Sequence, residues 1–166
     1  MALLSYAALN VNGTALSGDT THATFGGVDV SADHIELAEV GFGSRATADA
    51  VTHRISTRRQ ILPVRLTKRI DQTTPELYQA LATHARIDGD IKLFDTSPVD
   101  GSTRHRFTVT ITGGRILAIE SFSPDAFDPS QSVRPHYERI ELAPHTITYA
   151  DVVTSKAFTD DLNSAR

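Results

Sequence analysis

A mainly β chain, folded as an antiparallel β-barrel of two packed sheets with one helix on its flank, is predicted by three observations. Twenty threonines and many Val and Ile favour strands, because β-branched side chains pack well on a pleated surface. Apolar and polar residues alternate with period two in one segment after another, most clearly where Phe107, Val109 and Ile111 face one way and Thr108, Thr110 and Thr112 the other. Only residues 71–85 carry a sustained helical spacing, with Leu77 and Leu81 four apart and Tyr78 and Ala82 likewise. A length of 166 residues, 40% apolar and 22% charged, suits one domain with a fair-sized core.

In chain order, Met1 to Leu9 is apolar but lacks a basic start and soon meets Asn10, Asn12 and Gly13, so it reads as a first strand rather than a signal peptide. Alternation returns at 35–42. Residues 41–59 then show no period and collect glycine, small residues and arginine, which predicts a long extended loop. A strand follows at 61–67, then the helix, over about residues 74–85. Thr74 can cap its free amides, Pro75 fits the first helical position, Glu76 complements the positive dipole end, and Gly89 lies just past the close. Strand 91–94 precedes a predicted hairpin in which 106–112 and 115–122 are joined by a tight turn at Gly113-Gly114. Further strands fall at 140–142 and around Ile147 and Tyr149. The domain is expected over 1–154, with 155–166 as a loosely held C-terminal tail.

Several function classes drop out early. Sixteen basic against 20 acidic residues give a net charge of −4, without the basic excess of a nucleic-acid binder. The absence of cysteine removes disulfides, a thiolate nucleophile and Cys-rich zinc sites. No run nears the ~18 apolar residues of a membrane span. No Gly-x-Ser-x-Gly elbow is present, and Asp88-Gly89-Asp90 lacks the rest of a calcium loop. His34 and Glu36 share one strand face, with Asp29 and Asp33 upstream, as the one metal candidate; a solvent-facing strand side alternates in the same way. The other histidines have no metalloprotease spacing. Arg45, Arg54, Arg58, Arg59, Arg65 and Arg69, with Lys68, make 45–69 locally positive, which reads as a solvated face or a protein contact whose acids sit on another copy of the chain.

Residues 66–80, Leu-Thr-Lys-Arg-Ile-Asp-Gln-Thr-Thr-Pro-Glu-Leu-Tyr-Gln-Ala, resemble the strand-to-helix signature of the Hcp family, the tube protein of type VI secretion systems. The resemblance rests on Thr67, Lys68, Asp71, Thr74, Pro75, Leu77 and Tyr78. A second, ordered match joins His136, Glu138, Ile140 and Leu142 to Ile147-Thr148-Tyr149, where Tyr149 replaces the family's usual tryptophan and Pro144 also departs from the pattern. Together they cover about residues 30–151.

The resemblance implies a structural protein and not an enzyme, with no cofactor. Six copies would close into a ring and rings would stack into a hollow tube, propelled by a contractile sheath and carrying effector proteins in its lumen. The implied partners are itself, the sheath, spike and baseplate proteins, and the effectors, with no nucleic acid and no membrane span. The implied location is the bacterial cytoplasm, then outside the cell without a signal peptide, and the residues after Asp151 leave no room for a fused effector domain. Polar strand faces are expected to line the channel. Loop 41–59 is expected to reach a neighbouring copy through Phe42, Val51 and Ile55, set among Arg45, Arg54, Arg58 and Arg59, rather than fold back on its own barrel. The alternatives are a small metal-dependent β-barrel enzyme using His34 and Glu36, and a tube protein of another contractile injection system.

Overall fold

The computed structural model describes residues 3–49, 51–55, 59–131 and 133–162. Its strands are β1 (Ser5–Val11), β2 (Thr14–Ala15), β3 (Thr24–Phe25), β4 (Val28–Asp29), β5 (Ile35–Gly41), β6 (Ser44–Arg45), β7 (Gln60–Ile61) and β8 (Val64–Arg69). The helix α1 (Thr74–Ala82) follows, then β9 (Ile87–Thr96), β10 (Thr103–Phe122), β11 (Tyr137–Ala143), β12 (Thr146–Asp151) and β13 (Lys156–Asp161). The main sheet runs β11-β8-β5-β1-β9-β10, and β10 also pairs with β11, so these strands close on themselves as an antiparallel barrel. Strands β12 and β13 extend the sheet beyond β10.

Alternation fills the barrel as the sequence predicts. Leu9, Ile35, Leu66, Ile91, Val109, Ile111, Ile140 and Ile147 are buried in one apolar cluster. Their removal from water is the main stabilising term, worth roughly 1.5–3 kcal/mol for each large side chain. Helix α1 adds Leu77 and Ala80 to that cluster.

The predicted hairpin at Gly113-Gly114 is not formed. Residues 103–122 are one long bent strand, whose first part pairs with β9 on one edge and β12 on the other, while residues 115–122 pair with β11. Gly113 takes φ +65 and the β9 register shifts between Ile111 and Gly114, so the glycines supply a corner that a side chain would oppose. The chain bends there from one barrel wall into the other.

Helix α1 is also shorter than expected, ending at Ala82 instead of near 85, with His84 turning at φ 51. Its N-cap is Thr73, without a side-chain capping bond, and Pro75 occupies the first turn as expected. The Thr74 hydroxyl, expected as the cap, donates instead to Glu138 Oε1 at 3.1 Å. Gly89 is not a helix stop: it lies in β9 opposite Leu9. The tail is held more firmly than expected, because 156–161 pair with β12 as β13.

A Cβ at Gly89 would come within 2.1 Å of the Ala8 carbonyl oxygen, which is backbone and has little freedom to retreat. Gly89→Ala is therefore expected to destabilise the barrel by about 3 kcal/mol and lower the thermal midpoint by about 10 °C. Calorimetry checks this, and an unchanged midpoint would contradict the β1–β9 approach.

Candidate functional site

Two features gather the residues that the sequence singles out. The first is a buried ionic node. Lys68 is in phase with the inward-facing Val64 and Leu66 on β8, so its ammonium enters the barrel end, where it is 1% exposed. Lys68 Nζ lies 2.7 Å from Asp71 Oδ1 and 2.9 Å from Glu138 Oε1, and donates to the Arg69 carbonyl at 2.8 Å. Asp71 Oδ1 also accepts the Thr73 N–H at 2.9 Å and its hydroxyl at 2.6 Å. Burial raises the Asp71 pKa, but the hydrogen bonds from Lys68 and Thr73 outweigh it and leave the carboxyl below its ordinary range. Reading Lys68 as part of an exposed positive segment is thus overturned; its in-phase position between apolar neighbours was the available signal.

The second feature is the arm at 41–62. It is not an unstructured loop, because β6 pairs with β7, Ala48 bridges Ile55, and the Asp49 N–H donates to the Arg54 carbonyl at 2.8 Å. Asp49 Oδ1 accepts the Val51 and Thr52 amides at 3.0 and 2.7 Å, closing the tip. Part of the arm does fold back on its own barrel. Phe42 stacks on Phe107 with ring centroids 6.2 Å apart and packs against Tyr149 at 5.8 Å. Arg59 Nε donates to both Asp160 oxygens at 3.0 and 2.8 Å, and Nη2 to Oδ1 at 2.5 Å. Asp160 is 2% exposed and stands 101 residues away, so no local signal marks it. Arg45 donates to Gln60 Oε1 at 3.0 Å, while Arg54 at the tip is exposed. The apolar tip residues Val51 and Ile55 are 86% and 73% exposed. Arg58 lies outside the described residues.

The remaining signature residues are structural. Pro75 and Leu77 start and anchor α1, Tyr78 meets the Ser121 hydroxyl at 2.9 Å, and Ile140, Leu142 and Ile147 are core. Thr67 donates weakly to Glu39 Oε2 at 3.4 Å, and the His136 carbonyl accepts the Ile70 N–H at 3.1 Å. The metal candidate is engaged otherwise. His34 Nδ1 faces the Ala32 carbonyl at 2.5 Å and Nε2 faces Lys92 Nζ at 3.0 Å, while Glu36 Oε2 accepts the Thr21 amide at 3.0 Å and its hydroxyl. No group of three or more candidate ligands converges among the described residues. The carboxyls of Asp29, Asp49, Asp100, Asp128 and Asp151 sit below their usual range because donors in their own turns bind them, with Ser97 and Ser102 drawing Asp100 to about 2.

The closed antiparallel barrel is a fold shared with solved structures. A structure described as Hcp protein superposes with TM-score 0.82 at 21% identity, covering 95% of this chain and 96% of that one. Hcp1 from E. coli EAEC 042, in a variant carrying two introduced tryptophans, gives 0.78 at 19% identity over 96% and 99%, and Hcp3 from Pseudomonas aeruginosa 0.66 at 20% over 95% and 97%. No curated protein matches the sequence. Residues 9–144 match the family described as type VI secretion system effector, Hcp, and the chain belongs to that family. It is a subunit of the type VI secretion tube, from a secreted family that self-associates into rings and tubes. No helix among the described residues is long and apolar enough to cross a membrane.

Lys68→Met is expected to cost about 3–5 kcal/mol, because it leaves the Glu138 carboxylate buried without its cation, whereas Lys68→Met with Glu138→Met recovers much of that loss. Chemical denaturation of the single and double variants checks this, and additive losses would contradict the pairing. The depressed Asp71 pKa contributes stability that is present above the unfolded value near 4 and is lost as pH falls through the lower folded value. Asp71→Asn is therefore expected to flatten the dependence of stability on pH below about 4, as measured by urea titration at stepped pH.

Proposed function

We propose that the arm at 41–62 is the principal assembly element of a ring of six copies, and that such rings stack into a channel for soluble effectors. The observation that carries this reading is the contrast within the arm: its base is fixed to its own barrel through Phe42 and Arg59, while Val51 and Ile55 at the tip stand in water. A braced arm with an apolar tip is preorganised for a protein contact, since little conformational entropy remains to be lost on docking. Arg45 and Arg54 supply a polar rim to that contact. Both outward barrel faces suit an aqueous channel. One carries Thr108, Thr110, Thr112, Thr146 and Thr148; the other carries Glu39, Arg65, Glu120 and Glu141. The same reading extends to contacts with sheath, spike and baseplate proteins and to passage out of the bacterial cytoplasm.

Light scattering behind size exclusion is expected to show a six-chain mass for the wild type. Val51→Ser with Ile55→Ser and Arg54→Glu should keep the barrel's thermal midpoint while weakening assembly by about tenfold or more. Unchanged assembly at matched concentration and salt overturns the arm's role. Because the Arg59 side chain is 42% exposed and that of Asp160 only 3%, Arg59→Ala strands a buried carboxylate whereas Asp160→Ala frees a cation that water reaches. Arg59→Ala is thus expected to lower the midpoint more than Asp160→Ala, and the reverse order would contradict the clamp.

A further inference from the structure

The connection between β10 and β11 holds an aromatic ring in water by construction. Phe127 is 96% exposed. Asp125 Oδ1 accepts the Phe127 N–H at 2.9 Å; Asp128 Oδ1 accepts the Ser130 amide and hydroxyl at 2.9 and 2.7 Å, and its Oδ2 accepts Gln131 Nε2 at 2.9 Å. Two successive side-chain-held turns therefore present Phe127 between two aspartates. This is a rigid display, and leaving so large an apolar ring in solvent forgoes the gain that burial gives.

A complementary cavity lies on the outward face of β5, β8 and β11. It measures about 380 Å³, with Ala38, Pro135 and Tyr137 among its apolar lining and Arg69, Arg134 and Arg139 around them. The Arg139 guanidinium lies 5.4 Å from the Phe122 ring centroid and 5.7 Å from that of Tyr137. Among the described residues none of the three arginines forms an ion pair with a carboxylate, and Arg134 acts on Asp128 of its own loop only through space. The other charged groups lining the cavity are engaged elsewhere, Glu36 with Thr21 and Lys68 with Asp71 and Glu138.

We propose that the turn at 125–128 of one copy seats Phe127 in the arginine-lined cavity of a second copy. An aromatic anchor entering an apolar recess, with carboxylates meeting unpaired guanidinium groups at the edge, is the arrangement that concentrates binding energy in few residues. Turn and cavity adjoin: the turn leaves the end of β10, and the same connection carries Arg134 and Pro135 into the lining beside β5, β8 and β11. Used head-to-tail, with the turn of one copy in the cavity of the next, the contact is the kind that closes a ring when the rotation repeats. The inference rests on the ring reading and adds to it a second contact, independent of the arm.

The absence of native cysteine makes a cross-linking test clean. Phe127→Cys protein mixed with Ala38→Cys protein is expected to give a disulfide-linked pair under mild oxidation, far above a control mixture of Val99→Cys with Ala38→Cys. Phe127→Ser, at a fully exposed position, should stay folded and assemble about tenfold more weakly. Arg134→Asp should weaken assembly likewise, and Asp125→Arg added to it should restore it. Cross-linking no better than the control, or Phe127→Ser assembling like the wild type, overturns the proposal while a wild-type ring keeps the ring reading intact. A wild type that is monomeric sinks both. Protection of Ala38→Cys from labelling by an unrelated acidic aromatic peptide, with Phe127→Ser assembling normally, assigns the cavity to another protein and overturns the proposal as well.

Discussion

The ammonium of Lys68 is the point on which the arrangement of this barrel turns. It binds three elements at once: β8, which carries it; the lead into α1, through Asp71 and the Thr74 hydroxyl; and β11, through Glu138. Lys68 and Glu138 stand directly opposite each other in the β8–β11 register. A slip of either strand by one residue would turn that strand's charge and its apolar residues outward and leave the partner charge buried alone, so the ion pair and the core specify the same register. The helix depends on it too. Nine residues are too few to hold a helix in water, and α1 is kept in place by its two buried residues and by the turn that Asp71 closes.

Barrel closure rests on a different constraint, the bend of β10. Before the bend, odd-numbered residues from Phe107 to Ile111 face inward; after it, Ile116 and then Ile119 do, and the β11 register shifts between Ile116 and Ala118. Such a change of phase beside two glycines is what a hairpin would also show, which is why the sequence reads as one. The deciding fact is not local. β11 and β12 follow each other along the same edge of β10, so the chain cannot reverse at Gly113 without losing both ladders. Alternation reports which side of a strand is buried, not which strand lies beside it, so the strands were legible and the corner was not.

The same division explains what was legible of the site. The apolar spacing of Phe42, Val51 and Ile55 among arginines marks 41–59 as unusual in the sequence, and in the structure Val51 and Ile55 are exposed. The role of Arg59 depends on Asp160, and that of Phe42 on Phe107 and Tyr149, all distant in sequence and brought near only by the closed fold. Lys68 differs, since its phase with Val64 and Leu66 is legible locally, although Arg65 and Arg69 flank it in the same strand. The small strand pair β3–β4 left no clear pattern because each strand has two residues, too few for a period to appear.

Charge and apolar surface are thus placed in inverted positions. The charges that matter most to the fold are inside, paired at the mouth of the barrel, while the most exposed large apolar residues, Val51, Ile55, Val99, Phe127 and Val133, sit on connections and none on a barrel strand. The outward wall that carries Thr108, Thr110, Thr112, Thr146 and Thr148 stays polar and offers little for passing proteins to adhere to. A tube subunit has to satisfy both conditions, because it must bind its own copies at defined points and leave a channel wall that holds nothing tightly. In the proposed assembly, confining the adhesive residues to braced projections meets the two together: each contact is narrow and directional, and the wall between contacts keeps its water.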